Sequence, residues 1–263
     1  MIRKIRKFRF ILCLMVFALL QACATVQETD PSDPWEGMNR STFKFNDEVD
    51  RAILKPIAKG YQWITPGIVE VGIGNFFSNL KDIGVSINGF LQGKPKQGAM
   101  DSARFLVNTT AGIVGVVDVA KLIDLPKHEE DFAQTLAVWG APRGPYVVLP
   151  LMGPSSVRGI FGYVGDSAMH PFTYAFFFAH PAVSWGTFAF RGVEVVDLRA
   201  SFLEAEALAS EAAVDRYLFF RSGYMQRRDY LINDGEVQML ELDDMDFDED
   251  LDLLEEDLSK ELN

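Results

Sequence analysis

Apolar residues Ile73, Phe76, Leu80, Ile83, Ile87 and Phe90 recur at steps of three and four, with Asn75, Ser78, Asn79, Lys81 and Asp82 between them. That period predicts an amphipathic helix. Gln92-Gly93-Lys94-Pro95 ends it, since glycine and proline cannot carry the pattern on. A second helix begins near Gln97, runs through Met100, Ala103, Phe105, Leu106 and Val107, and continues into the nearly all-apolar stretch 111–117. Leu198, Phe202, Ala205, Leu208 and Ala212 form a third stripe that leads into the arginine- and aromatic-rich stretch 215–230. The best strand candidate is Tyr146-Val-Val-Leu149. The pattern therefore predicts an all-α fold, and the ~200 residues that carry it fit one domain.

Two regions break the pattern. Residues 139–166 contain Gly140, Pro142, Gly144, Pro145, Pro150, Gly153, Pro154, Gly159, Gly162 and Gly165. Such punctuation predicts no long regular element, and an ordered loop over at least the first half. Residues 167–190 are 24 positions without Asp, Glu, Lys or Arg but with eight aromatics. Pro171 and Pro181 bracket nine of them, about 14 Å of helix against a ~30 Å hydrocarbon core. Short, uncharged, aromatic helices suit a body lying in one leaflet; a buried core segment is the alternative.

The N-terminus adds a targeting segment. Arg3, Lys4, Arg6, Lys7 and Arg9 precede an apolar run over 10–20, too short to span and shaped like a secretory signal. Leu20-Gln21-Ala22-Cys23 resembles the bacterial lipobox, which makes Cys23 the expected site of lipidation. With Cys13 leaving in the signal, the mature chain has no thiol for a disulfide or metal. The expected organisation is a signal peptide over 1–22, a lipidated tether over 23–33, a helical domain over 34–235 and an acidic tail over 236–263. The net charge of −12 concentrates in residues 241–263, where twelve acids face Lys260 alone. The mildly acidic body gives no support for nucleic-acid binding. The tail reads as a disordered segment, with a docking arm as the alternative.

Catalytic patterns are weak. The histidines, His128, His170 and His180, form no HExxH and no close carboxylate pair for a metal. Gly72-Ile73-Gly74 lacks the strand and third glycine of a nucleotide loop. Gly153-Pro-Ser-Ser-Val157 departs from a nucleophile elbow at its last position. The expectation is a protein with no catalytic site, no metal and no cofactor.

After the tether, Asp33-Pro-Trp-Glu-Gly-Met-Asn-Arg-Ser-Thr-Phe-Lys-Phe-Asn46 closely resembles the opening motif of the MlaA (VacJ) lipoprotein family. Further blocks agree in order, among them Asn75-Phe-Phe-Ser-Asn-Leu80, Arg104-Phe-Leu-Val-Asn-Thr109, Gly144-Pro-Tyr-Val-Val-Leu-Pro-Leu151, Gly153-Pro-Ser-Ser-Val-Arg158 and the closing Tyr224-x-Gln-Arg-Arg-Asp-Tyr230. The resemblance implies a lipid-anchored lipoprotein of the Gram-negative outer membrane, facing the periplasm and built as a helical ring in one leaflet. It implies an amphipathic pore that removes mislocalised phospholipids from the outer leaflet and passes them to an MlaC-like periplasmic carrier, beside trimeric porins. Lipid asymmetry is thereby maintained; the alternative is an envelope adaptor that organises porins or surface spread without moving lipid. By match to the family motifs, Phe43, Phe45 and Asn46 and the loop carrying Gly140, Gly144, Pro145 and Tyr146 are the pore candidates. Lys44, Ala141 and Pro142 depart from the family pattern, as does the acidic tail.

Overall fold

Prolines and glycines set where the helices start and stop. The computed structural model describes residues 30–178, 181–206 and 215–235. The signal, Cys23, the acidic tail, His180, Leu208 and Ala212 lie outside the described residues. Helix α1 (Glu36–Val49) passes through a π-helical turn, Asp50–Leu54, into α2 (Lys55–Ile64). After Pro66 comes α3 (Gly67–Leu91), which ends where Gly93 turns the chain at φ +77°. Helix α4 (Pro95–Thr110) follows, then the short α5 (Val119–Leu122) and α6 (Phe132–Val138). Strands β1 (Tyr146–Leu149) and β2 (Gly153–Ser156) make an antiparallel hairpin with Tyr146 opposite Ser156 and Leu149 opposite Gly153. Helices α7 (Val157–Met169), α8 (Pro171–Phe178), α9 (Pro181–Ser201) and α10 (Arg216–Ile232) follow among the described residues. The fold is helical as expected, with the expected strand paired in a hairpin.

The buried residues of α3 are mostly polar or glycine, with Phe77 and Val85 among them. Gly72, Asn79, Asp82, Ser86 and Gly89, at steps of three and four, are buried, whereas Ile87 and Phe90 of the apolar stripe are exposed. The reason is the partner helix. Gly89 meets Gly98 so closely that a Cβ there would lie 3.2 Å from the Gly98 Cα. Ser86 Oγ donates to the Gly98 carbonyl at 2.9 Å, and Asn79 donates to Thr109 Oγ1 at 2.9 Å. Small and hydrogen-bonded residues let α3 and α4 approach, and Ile87 and Phe90 are left outside, while Phe77 and Val85 are buried.

A charged centre fills the gap between α3, α4 and the segment after α5. Arg104, 2 % exposed, donates from Nη2 to both oxygens of Asp118 at 3.0 Å and from Nη1 to the Leu125 carbonyl. Asp82 takes Lys127 at 2.7 Å, and Asp101 takes His128 Nδ1 at 2.8 Å. Burial raises the Asp82 carboxyl above the usual range, against the pull of Lys127 and Arg104.

Three expectations need correction. The second helix stops at Thr110 and does not continue through 111–117. There the chain doubles back: Gly115 N–H donates to the Asn108 carbonyl and Val117 N–H to that of Gly112, both at 2.8 Å. Ile113 and Val114 take φ of +54° and +58° in this turn, so apolar content reflects exposure here, not helix. Second, residues 139–166 do contain a long regular element, since α7 runs 13 residues from Val157. Its Gly159, Gly162 and Gly165 share one face, and a Cβ on Gly162 or Gly165 would come within 2.5 Å of Ala133 or Phe132. These glycines permit close packing; they do not break the helix. Third, the stripe from Leu198 is interrupted, because α9 ends at Ser201 and the chain turns at Phe202.

Candidate functional site

A cavity of about 840 Å³ opens among α3, α7, α9, α10 and the segment 127–131. Phe77, Leu80 and Val85 of α3, Met169 of α7, Leu198 of α9 and Leu231 of α10 supply apolar wall. The same wall carries charge of both signs. Lys81 and Arg191 pair with Glu194 at 3.6 and 2.7 Å, and Arg227 pairs with Glu129 at 2.6 Å. Arg228 Nη2 reaches Asp131 Oδ1 at 3.0 Å. Lys127, His128, Glu129 and Glu130, with Arg227 and Leu231, also line a second cavity of about 570 Å³. Glu130 fixes the segment by accepting from Lys94 at 3.0 Å, Gln92 at 2.8 Å and Gln97 at 2.6 Å.

Burial perturbs several cavity groups. Asp166 is pushed up to about 6, mainly by desolvation, while the Phe132 N–H at 2.8 Å pulls the other way. Asp197 is also raised by burial, though Tyr61 donates to it at 2.8 Å. His170 is lowered by burial and by the Arg191 charge. The wall therefore combines hydrocarbon-compatible surface with paired and partly desolvated charges, which suits an amphipathic ligand.

The residues singled out from the sequence stand elsewhere. Phe43 packs edge-on against Tyr217 at 5.8 Å, beside a core of Tyr146, Val148 and Tyr217. Tyr146 is fully buried; burial and the nearby Asp33 charge raise its hydroxyl. Asn39 holds the strand edge, donating to the Tyr146 carbonyl at 3.0 Å and accepting from Val148 N–H at 2.8 Å. Asn46 does the same two turns on, with the Leu149 carbonyl at 2.9 Å and Leu151 N–H at 2.8 Å. Phe45 points outward, half-exposed. Gly140 and Gly144 take φ of +88° and +68°, and Pro145 accepts from Val157 N–H at 3.2 Å, so the loop is locked onto the start of α7. The structure thus joins Phe43, Asn46 and Tyr146 around the hairpin, and none of the seven is on the cavity wall. The wall residues escaped sequence reasoning, because a charged residue on an otherwise ordinary helix face gives no local signal of what lies across from it.

Among the described residues, the serines and histidines of those sequence patterns make structural contacts. Ser156 caps α7 by accepting from Gly159 N–H at 3.1 Å, and Ser155 Oγ lies 3.4 Å from the Ser156 carbonyl. His128 is held by Asp101 on another element, and His170 Nδ1 accepts from Phe172 N–H at 3.3 Å. Among the described residues, no three His, Cys, Asp or Glu side chains are placed to hold a metal.

The model of the MlaA lipoprotein family matches residues 31–231 of this chain. A protein of Escherichia coli (strain K12), named intermembrane phospholipid transport system lipoprotein MlaA, is 33% identical over 231 residues, which are 84% of this chain and 87% of that protein. One of the same name from Haemophilus influenzae is 32% identical over 88% of this chain and 93% of its own length. A solved structure from work on the structural basis for maintenance of bacterial outer membrane lipid asymmetry aligns with a TM-score of 0.66. It is 35% identical, and the alignment covers 77% of this chain and all of that one.

Proposed function

The chain belongs to the MlaA lipoprotein family, and from that premise we propose that it moves phospholipids across the cell envelope and so maintains outer-membrane lipid asymmetry. The observation that carries this reading is the 840 Å³ cavity with apolar and charged wall side by side, inside helices whose outer faces are apolar. Acyl chains need the first surface and a headgroup the second. In this reading the helices form a ring in the periplasmic leaflet of the outer membrane, held by an acylated Cys23 and seated beside trimeric porins. Phospholipid that has strayed into the outer leaflet enters the cavity and leaves to a soluble, MlaC-like periplasmic carrier. No bond is made or broken in that passage.

The seven sequence candidates act from behind the wall. Phe43, Asn46 and Tyr146 set the hairpin against α1 and α10, Gly140, Gly144 and Pro145 shape the loop that enters it, and Phe45 meets the surroundings.

Deleting the gene tests the function. Phospholipid in the outer leaflet, read by amine-reactive labelling of intact cells, rises, and cells become sensitive to detergent with chelator. Unchanged labelling in the deletion strain overturns the proposal. Delivery of labelled lipid to the purified carrier separates transport from an adaptor role, which would retain porin binding without delivery.

A further inference from the structure

Every lysine and arginine on the wall of the larger cavity has a carboxylate partner. Two wall acids, Asp166 and Asp197, have no basic partner among the described residues. Asp197 accepts the Tyr61 hydroxyl at 2.8 Å and lies in the field of Lys81. Asp166 is less well compensated. Its Oδ1 takes only neutral donors, the Phe132 N–H at 2.8 Å and Asn88 Nδ2 at 3.3 Å, and among the described residues its Oδ2 takes none. Arg228 is committed to Asp131, and at Asp166 the Asp131 charge outweighs that of Arg228. A second wall group near the same helix turn also lacks a partner. Gln134 is 1 % exposed; its Nε2 donates to the Glu129 carbonyl at 2.9 Å, while its Oε1 is buried and receives no donor. The start of α6 places both, since Phe132 binds Asp166 and Gln134 follows two residues on. A carboxylate without a cation and an amide oxygen without a donor both cost free energy until a cationic donor completes them.

The geometry points to an ammonium subsite formed by Asp166 and Gln134 on the cavity wall, which selects phospholipids whose headgroup ends in a primary amine. An ammonium group brings a positive charge and three N–H donors with no acceptor, which is what the two oxygens lack. Tyr163, one turn before Asp166 on α7 and also on the wall, adds an aromatic ring of the kind that attracts such a cation. A headgroup without an amine brings only its phosphate, for which the wall holds no uncommitted lysine or arginine. Burial raises the Asp166 carboxyl to about 6, so it is largely ionised at neutral pH, and a bound ammonium favours the ionised form further. A carboxylate kept on the wall at a cost to stability is what a binding role requires.

This inference rests on the transport reading, and one binding experiment separates the two. Full-length lipoprotein in non-ionic detergent is offered, in separate titrations, dihexanoyl phosphatidylethanolamine and dihexanoyl phosphatidylpropanol. In the second lipid a methyl group replaces the ammonium, and occupancy is read by native mass spectrometry. The parent protein prefers the amine by about tenfold or more, the scale of a charge-assisted hydrogen bond. Asp166→Asn keeps an acceptor for the Phe132 N–H but loses most of that preference, and Asp166→Glu retains part of it. Gln134→Met lowers the preference at a second position and guards against a folding defect at Asp166. Glu48→Gln removes an exposed acid away from the cavity and leaves the preference intact. Lipid binding with no preference, a preference untouched by Asp166→Asn and Gln134→Met, or an equal loss in Glu48→Gln overturns the ammonium subsite alone. Free ethanolamine at the concentration of the lipid leaves the lipid bound; displacement by it reassigns the subsite to soluble amines and overturns its part in lipid selection. Failure to bind either lipid overturns the transport reading and this inference with it.

Discussion

Asp166 shows how one wall residue links the cavity to stability. Its carboxyl, near 4 in an unfolded chain, is pushed up to about 6 by burial, while Oδ1 accepts the Phe132 N–H. The folded state therefore holds a proton that the unfolded state releases between those values. Its contribution is full below pH 4 and is lost as pH rises through 6. Asp166→Asn retains an acceptor for Phe132 and has no charge to desolvate. It should gain about 1–2 kcal/mol at pH 7.5 after allowance for partial exposure, and nothing at pH 4. Denaturant melts at the two pH values check this, and an equal gain at both would contradict it. Arg104 is the opposite case, since it is already paired. Arg104→Met strands Asp118 and weakens the hold on Asp82, so it should cost about 3 kcal/mol or more by the same measurement. Neither role was legible in the sequence. A charged residue shows in a sequence, but its burial depends on partners such as Leu125 and Phe132 that are distant along the chain.

Helix existence was far more legible than helix orientation. The period of Ile73, Phe76 and Leu80 identified α3, and Gly93 with Pro95 identified its end, because dihedral limits act locally. The same pattern did not say which side faces inward, and the structure buries Asn79, Asp82 and Ser86 with Phe77 and Val85, while Ile87 and Phe90 are exposed. Periodicity reports that two faces differ; what surrounds the protein decides which face is hidden. Glycine is ambiguous in the same way. At 140 and 144 it supplies positive φ, as the loop reading required, but at 162 and 165 it clears space for α6. Gly162→Ala puts a methyl 2.5 Å from the Ala133 Cβ, an overpacking that should cost about 1–3 kcal/mol. Gly186→Ala, where no atom lies within 4 Å, should be neutral or slightly stabilising through helix propensity. A thermal melt in which both alanines behave alike would count against the packing assignment.

On the scale of the whole molecule, polar groups are packed inside and large apolar side chains stand outside. Asp33, Asn39, Asn88, Asp101 and Gln134 are all but inaccessible, while Trp63 is 87 % exposed, Ile68 84 % and Trp185 73 %. Water would not reward that arrangement, but a leaflet would, because acyl chains cover the apolar exterior and the buried polar groups satisfy one another. No helix among the described residues is long and apolar enough to cross a membrane; immersion of the apolar exterior in one leaflet is what we propose. This yields a test independent of the anchor. In a Cys23→Ser background, single-tryptophan variants retaining Trp63 or Trp185 are mixed with phospholipid vesicles brominated on the acyl chains. If the apolar exterior itself enters the leaflet, both fluorescences are quenched by more than about half, and the protein still sediments with vesicles at high salt. Trp139, 56 % exposed but tied by its indole N–H to the Leu91 carbonyl at 3.0 Å, reports whether the side bearing the Gly140 loop is immersed as well. Quenching of Trp63 and Trp185 without Trp139 places that loop outside the hydrocarbon. Absence of quenching at Trp63 and Trp185 would remove the leaflet as the explanation for the exposed apolar surface.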